Sequence, residues 1–154
     1  MKVWMGAALG VLLAAAGVAQ AAEVSVSASP ITQFGDSMVD QMAGELIFRG
    51  GIALVSQDAI FGGLSGLTMT GPDGQVVFVS DRGNFVGGQL AYDNDGRLLS
   101  LIGVTVEPMR NSRGEPLPRQ FARDAESVDT VYRNGQPVAV RVGFENLTRV
   151  SDFD

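Results

Sequence analysis

Apolar and polar residues alternate along Glu126–Tyr132 and again along Pro137–Val142, and Asn134-Gly135 separates the two runs. A period of two places successive side chains on opposite faces of a strand, and Asn-Gly accepts the positive φ angles of a tight hairpin turn. The arrangement occurs twice more. Gly62–Thr70 and Gln75–Ser80 flank Gly71-Pro72-Asp73-Gly74, while Gly87–Tyr92 and Leu98–Ile102 flank Asp93-Asn94-Asp95-Gly96. Hairpins in series are therefore the expected local motif. Glu45–Arg49 and Gly51–Val55 also read as β, interrupted at Gly50-Gly51, whereas Met38–Ala43 leaves room for roughly one helical turn. Val24 and Val26 suit a short edge strand. From Glu107 to Arg123 the prolines Pro108, Pro116 and Pro118, with Gly114 and no periodic apolar face, predict a long loop.

Two of the hairpins are related. A shift of 61 residues lays Leu67 on Val128, Met69 on Thr130, Asp73-Gly74 on Asn134-Gly135, Val77 on Val138 and Val79 on Val140 without a gap. One structural unit repeated about every 60 residues is the expectation. Two units alone leave sheet edges unpaired, a state that propellers and solenoids avoid by adding units. The chain, ending at Ser151-Asp152-Phe153-Asp154, thus reads as an incomplete polypeptide lacking later repeats.

The beginning of the chain follows another pattern. Met1-Lys2, an apolar run from Val3 through Val18 and the exit Ala19-Gln20-Ala21-Ala22 resemble a secretory signal peptide more than a retained anchor or a buried helix. The run is shorter than the ~20 residues of a comfortable membrane span. Cleavage is expected after Ala21, with Ala22 as the alternative, which assigns residues 1–21 to a leader, 22–44 to a small, polar lead-in segment and 45–154 to the β domain. The product would be periplasmic or secreted, with no stable membrane span.

Composition then narrows the chemistry. The 154 residues contain no cysteine and no histidine, which excludes disulfides, a Cys/His zinc site and any histidine-based triad within the chain. Lys2 is the only lysine, so leader removal leaves ten arginines against 17 acids, a formal charge of −7. Such a balance argues against a nucleic-acid partner. No G-x-G-x-x-G or P-loop motif is present, so no nucleotide cofactor is expected. Ser65 lacks the last glycine of a nucleophile elbow, since Leu67 stands there. Asp93-Asn94-Asp95-Gly96 lacks EF-hand spacing and reads as a turn. Asn146-Leu147-Thr148 fits a glycosylation sequon, which matters only in a host with that machinery.

What remains is a set of acids at strand ends: Asp81 after Val79-Ser80, Asp124 and Glu126 before a strand, and Glu145 after Phe144. Arg82, Arg123 and Arg149 lie close to them in sequence. In a radial β architecture such ends converge at one mouth, where repulsion must be relieved by arginine, a proton or a hard cation. Structural ion pairs, cation coordination and catalytic work are all open to these residues. Ser80-Asp81-Arg82-Gly83-Asn84 reads equally as a tight turn in which the Asp81 carboxylate accepts backbone N–H groups.

Phe61-Gly62-Gly63-Leu64-Ser65-Gly66-Leu67, Val79-Ser80-Asp81-Arg82-Gly83, Asp124-Ala125-Glu126-Ser127 and Phe144-Glu145 with Arg149 stand in an order that resembles the opening part of the bacterial "esterase-like activity of phytase" family. The resemblance covers roughly Leu46 to Val150, with Ser127 where the family commonly has glycine. It implies an all-β, antiparallel, β-propeller-like fold, incomplete and amounting to about the first two blades. It further implies a hydrolase of phosphoester or ester bonds acting on a small anionic or ester substrate. The resemblance assigns no role to each acid; from the acids themselves the expected mechanism is hydrolysis by water activated at a Ca²⁺-type centre. Asp81, Asp124 and Glu126 are the candidate catalytic residues, the same three with Glu145 the candidate metal ligands, and Arg82 and Arg149 the candidate substrate-binding residues. The competing expectation is a non-catalytic periplasmic binding or scaffold module held by the same charges.

Overall fold

The computed structural model describes residues 21–118, 120–146 and 148–154. The leader expected over 1–21 lies outside these residues but for Ala21. Fourteen short strands follow in order: β1 (Ala22–Glu23), β2 (Ser27–Ile31), β3 (Gln33–Phe34), β4 (Ser37–Met38), β5 (Met42–Ala43), β6 (Leu46–Ile47), β7 (Gly51–Val55), β8 (Leu64–Met69), β9 (Gln75–Ser80), β10 (Asn84–Tyr92), β11 (Leu98–Pro108), β12 (Ala125–Arg133), β13 (Gln136–Phe144) and β14 (Arg149–Phe153). A 3-10 turn, Gln120–Ala122, precedes β12. No helix among the described residues is long and apolar enough to cross a membrane. The protein is all-β, and its sheets are antiparallel.

The largest sheet has the order β1-β11-β10-β9-β8, and a second has the order β12-β13-β14. β9 explains why its sequence is a near-continuous apolar run. Val76 and Phe78 enter one core with Val86, Leu101, Val104 and Val106, while Val79 enters another with Met109, Leu117, Ala125, Val142 and Phe144. A strand covered on both faces has no polar side to present. The first core is closed by Val26 and Leu54 of the β2–β7 region, the second by the packing of the two sheets on each other.

Several sequence expectations change. Met38–Ala43 holds no helical turn. Its ends belong to the small strand pairs β3–β4 and β5–β6, and Val39 N–H bonds Thr32 O at 3.1 Å. Asp40 bridges Arg49 at 2.7 Å and Arg97 at 2.6 Å, which pins this arm to the β10–β11 turn. The edge strand expected at Val24 and Val26 lies slightly earlier, at Ala22–Glu23, and Val24 continues it with a 2.9 Å bond to Val104 O. β11 reaches Pro108, so the predicted loop starts later than expected. It is also anchored: Met109 and Leu117 are buried, and Arg110 and Pro116 form an isolated bridge.

The repeat relation holds for the first strand of each hairpin and fails for the second. Gly66 pairs with Val79 and Leu67 with Phe78, whereas Ser127 pairs with Gly143 and Val128 with Val142. Thus the second strands correspond at an offset of 64, not 61. The reason is at the tip. The first hairpin closes early, with Thr70 N–H on Gln75 O around a four-residue turn, while the second runs on to the Arg133–Gln136 pair and gains a bulge after Val131. Both hairpins also carry a bulge at their start, between Leu64 and Gly66 and between Ala125 and Ser127.

Candidate carboxylate site at the seam of two sheets

The corrected register makes Asp81 and Glu145 equivalent. Each is the first residue past the second strand of its hairpin, and each donates its N–H to the residue preceding the first strand, Gly63 O at 2.9 Å and Asp124 O at 3.1 Å. The first strands β8 and β12 lie against each other along a seam. An added Cβ on Gly66 would stand 3.1 Å from Glu126 O and from Ser127 Cα. Farther along, Thr68 Oγ1 and Thr130 Oγ1 are 3.0 Å apart, and Thr130 Oγ1 donates to Met69 O at 2.9 Å. Equivalent ends of the two hairpins therefore meet on one side of the molecule.

Carboxylate oxygens of Asp124, Glu126 and Glu145 lie within 4.8 Å of one another. Glu126 is the bulged residue of β12, and a bulge re-aims the side chain of its extra residue. Asn146 Nδ2 donates to Asp124 Oδ2 and orients that carboxylate, a contact that no sequence motif signalled. Asp81 is not one of these three clustered acids; its charge is the last of the influences on Glu126. Its carboxylate fills the place where a side chain on Gly63 would begin, and Gly63 has φ 64°. The turn after β9 also differs from expectation in one atom: Asn84 N–H is accepted at 3.2 Å by Ser80 Oγ, and Ser80 is fully buried.

The arginines divide. Arg149 lines an open cleft of about 560 Å³ together with Glu126 and Glu145. Its Nη2 donates to Ala122 O at 2.7 Å, its guanidinium carbon lies 4.1 Å from the centre of the Phe144 ring, and its Nε is buried without a partner among the described residues. Arg82 instead donates to Ala59 O at 2.7 Å and lies against Gly62. Arg123 packs its aliphatic stem on Gly83, whose φ is 75°. The Asp93–Gly96 acids form a turn: Asp93 Oδ1 accepts the N–H groups of Asp95 and Arg97 at 2.9 and 2.8 Å.

Partial desolvation, followed by the negative charges of Asp124 and Glu145, a hydrogen bond with Asp124 and the charge of Asp81, raises the Glu126 pKa above its ordinary value of 4.5. Glu126 is exposed, so the like-charge part is the one that a cation can answer. A raised folded value means that the folded chain holds this proton more tightly than the unfolded chain. Stability therefore falls as pH rises from 4.5 through the raised value. Glu126→Gln should flatten that fall and melt above the parent at pH 7 without divalent cations. Thermal melts of both proteins at pH 4 and pH 7 check this; an identical pH dependence would contradict it.

The donor set suits a hard cation. It is all oxygen, and a spread of 4.8 Å fits a shell whose metal–oxygen distances are about 2.3–2.6 Å. A family model described as Phytase-like, esterase-like activity of phytase, matches residues 59–154, well over half of the chain. No curated protein and no solved structure gives a significant match.

Proposed function

The chain belongs to the Phytase-like family, and from that premise we propose that it hydrolyses ester or phosphomonoester bonds after export to the periplasm or beyond. The observation that carries the proposal is the convergence of Asp124, Glu126 and Glu145 beside Asp81, at equivalent ends of two repeated hairpins. In this reading the hairpins are successive blades of a β-propeller, with β8 and β12 as the innermost strands. Their close seam supports it.

Asp124, Glu126 and Glu145 would hold a Ca²⁺-type ion, with Asp81 completing the acidic rim. Such a cation, when bound, supplies Lewis-acid polarisation and lowers the pKa of coordinated water. Asn146 keeps Asp124 turned toward the cluster. Desolvation and the charges of Asp124 and Glu145 raise the Glu126 pKa, and a bound ion would offset those charges and favour its carboxylate form as a ligand. Arg149, fixed by Ala122 O and Phe144 in the same cleft, would orient the anionic group of a substrate. Arg82 would act from the neighbouring turn.

The test is hydrolysis of a panel of phosphomonoesters and carboxylic esters with and without Ca²⁺. Asp124→Ala and Glu126→Ala, shown to be folded by circular dichroism, should each lose about tenfold or more of the cation-dependent rate. Parent-like rates in the folded variants would remove these acids from the mechanism. A second reading rests on the guanidinium bonds to Ala59 O and Ala122 O, which tie loops rather than ligands. A non-catalytic binding or scaffold module would show no hydrolysis in the parent, and the two substitutions would change stability alone.

A further inference from the structure

Residues 32–50 connect β2 to β7, yet none of them is buried and neither core takes a side chain from them. They carry structure of their own. β3–β4 and β5–β6 are two small hairpins, joined where Ser37 Oγ donates to Met42 O at 2.6 Å, and the Phe34 and Phe48 rings lie with centres 5.9 Å apart. Main-chain bonds from Val39 N–H to Thr32 O, from Asp40 N–H to Phe48 O and from Phe48 N–H to Gln41 O close the unit on itself. A segment bonded internally in this way opens as one body.

Its polar ties to the rest of the chain converge on one place. Among the described residues, and beyond the β2–β7 ladder, Arg97 Nη2 donates to Asp40 Oδ2 at 2.6 Å and Arg49 Nη2 donates to Asp95 O at 2.8 Å. Both bonds run to the β10–β11 turn. Asp40 is the hub, because its other oxygen accepts Arg49 Nη1 at 2.7 Å, while Arg97 is steadied by Asp95 at 3.0 Å and Asp93 at 3.9 Å. Pairs between exposed side chains contribute little to a whole fold and weaken with salt. Here they act on a segment that no buried side chain holds, so the same weak contacts decide where it sits. At its base stands Gly50, with φ 96°, where only glycine lets the backbone turn freely.

We propose that residues 32–50 form a hinged arm, docked on the β10–β11 turn by an ion-pair latch centred on Asp40 and released when that latch is broken. Release carries the exposed Phe34, Met38, Met42, Leu46 and Ile47 away from the turn as one apolar-tipped unit and leaves both cores intact. Salt, rather than pH near neutrality, is the lever. The hydrogen bond from Arg97, and with it the charges of Arg97 and Arg49, hold the Asp40 carboxyl below its ordinary value of 3.8 against partial desolvation. The latch is therefore whole above pH 3.8 and is lost only as pH falls through the lowered value. The groups that face Asp40 are Arg49 at the base of the arm and Arg97 on the turn, with Asp93 and Asp95 beside Arg97, and both arginines keep their charge throughout. Release is independent of the carboxylates at the sheet seam and of any hydrolytic activity.

The experiment uses the full chain, which has no cysteine, so that Glu45→Cys in the tip of the β5–β6 hairpin and Asn94→Cys in the β10–β11 turn take nitroxide labels without background. Their separation is read by electron paramagnetic resonance. It should be narrowly distributed in about 0.01 M salt, where the Debye length is roughly 30 Å, and should spread toward longer distances in about 1 M salt, where it is roughly 3 Å. Arg97→Gln removes the partner without touching the arm, and Asp40→Asn keeps a residue that tolerates the φ of 66° at that position. Either variant should raise the undocked share at low salt by about threefold or more. Asp152→Asn, which breaks the Arg141 pair on the other sheet, is the control and should leave the distribution narrow. The salt series on the labelled chain with its latch intact decides the matter even where a latch variant fails to fold. A distribution that stays narrow in about 1 M salt would overturn the proposal, as would folded latch variants that match the parent at low salt. Equal broadening by Asp152→Asn would overturn it too, since that would mark a general loosening rather than release at Asp40.

Discussion

Gly66→Val should cost roughly 1–3 kcal/mol of stability or more and should weaken cation binding at the carboxylates in the same step. The argument is one of available space. The nearest atoms to a Cβ at this position are Glu126 O and Ser127 Cα at 3.1 Å and Val128 N at 3.2 Å, all of them main chain. A flexible side chain could swing aside, but a strand in a paired sheet cannot move without its neighbours. The added methyl groups must therefore separate β8 from β12. Separation stretches the Thr68–Thr130 contact and the Thr130–Met69 bond, leaving a buried hydroxyl unsatisfied. It also shifts Glu126, whose carbonyl meets the intruding group, away from Asp81. Ser65→Val, one residue earlier and exposed, is the control that adds bulk to the same strand without entering the seam. Urea denaturation with an unchanged m-value would report the loss, and calorimetric titration with Ca²⁺ would report the coupling. A Gly66→Val protein as stable as the parent would mean that the two sheets are not in firm contact.

The hairpins were legible because their turns are chemically explicit: Asp73-Gly74, Asp95-Gly96 and Asn134-Gly135 supply residues that tolerate positive φ. All three glycines have it, at 83°, 74° and 77°. The acids at strand ends were legible for the same local reason, since strand ends follow from turns. Register was not legible. It depends on where a bulge falls and how far a hairpin runs before it closes, and those choices separate an offset of 61 from one of 64 without a marked change in composition. The equivalence of Asp81 with Glu145 follows only from the register. Nor did the sequence reveal the Asn146 bond to Asp124, because an asparagine after Phe144-Glu145 is also an ordinary turn residue. The proline-containing stretch after β11 misled in another way. Prolines kept extended ladders out of the stretch beyond β11, although Pro108 itself ends that strand and Pro116 bridges Arg110, and they said nothing about whether the residues between them enter a core.

Met109 is the residue on which that last point turns, and Met109→Ala should lose about 2–5 kcal/mol, among the largest effects of any side-chain truncation in the chain. Its side chain is fully buried with Val79, Val142, Ala125 and Phe144 in the core between the two sheets. Its main chain is held as well, the N–H on Gly83 O at 2.8 Å and the carbonyl accepting Leu117 N–H at 3.1 Å. Because both anchors are backbone bonds, the stretch cannot easily collapse into the space that truncation leaves, and the cavity contributes most of its cost. Met109→Leu keeps nearly the same volume and should cost less than about 1.5 kcal/mol. The contrast separates packing from any special property of sulfur. The segment held by Met109 leads through the Gln120–Ala122 turn to Asp124, so the alanine variant should also bind a divalent cation more weakly while the leucine variant stays close to the parent. If instead the alanine variant melts with the parent, the region between β11 and β12 is a passive connection. The two sheets would then be joined by the β8–β12 seam and by the contacts of Val79 and Phe85 with Val142, Phe144 and Phe153.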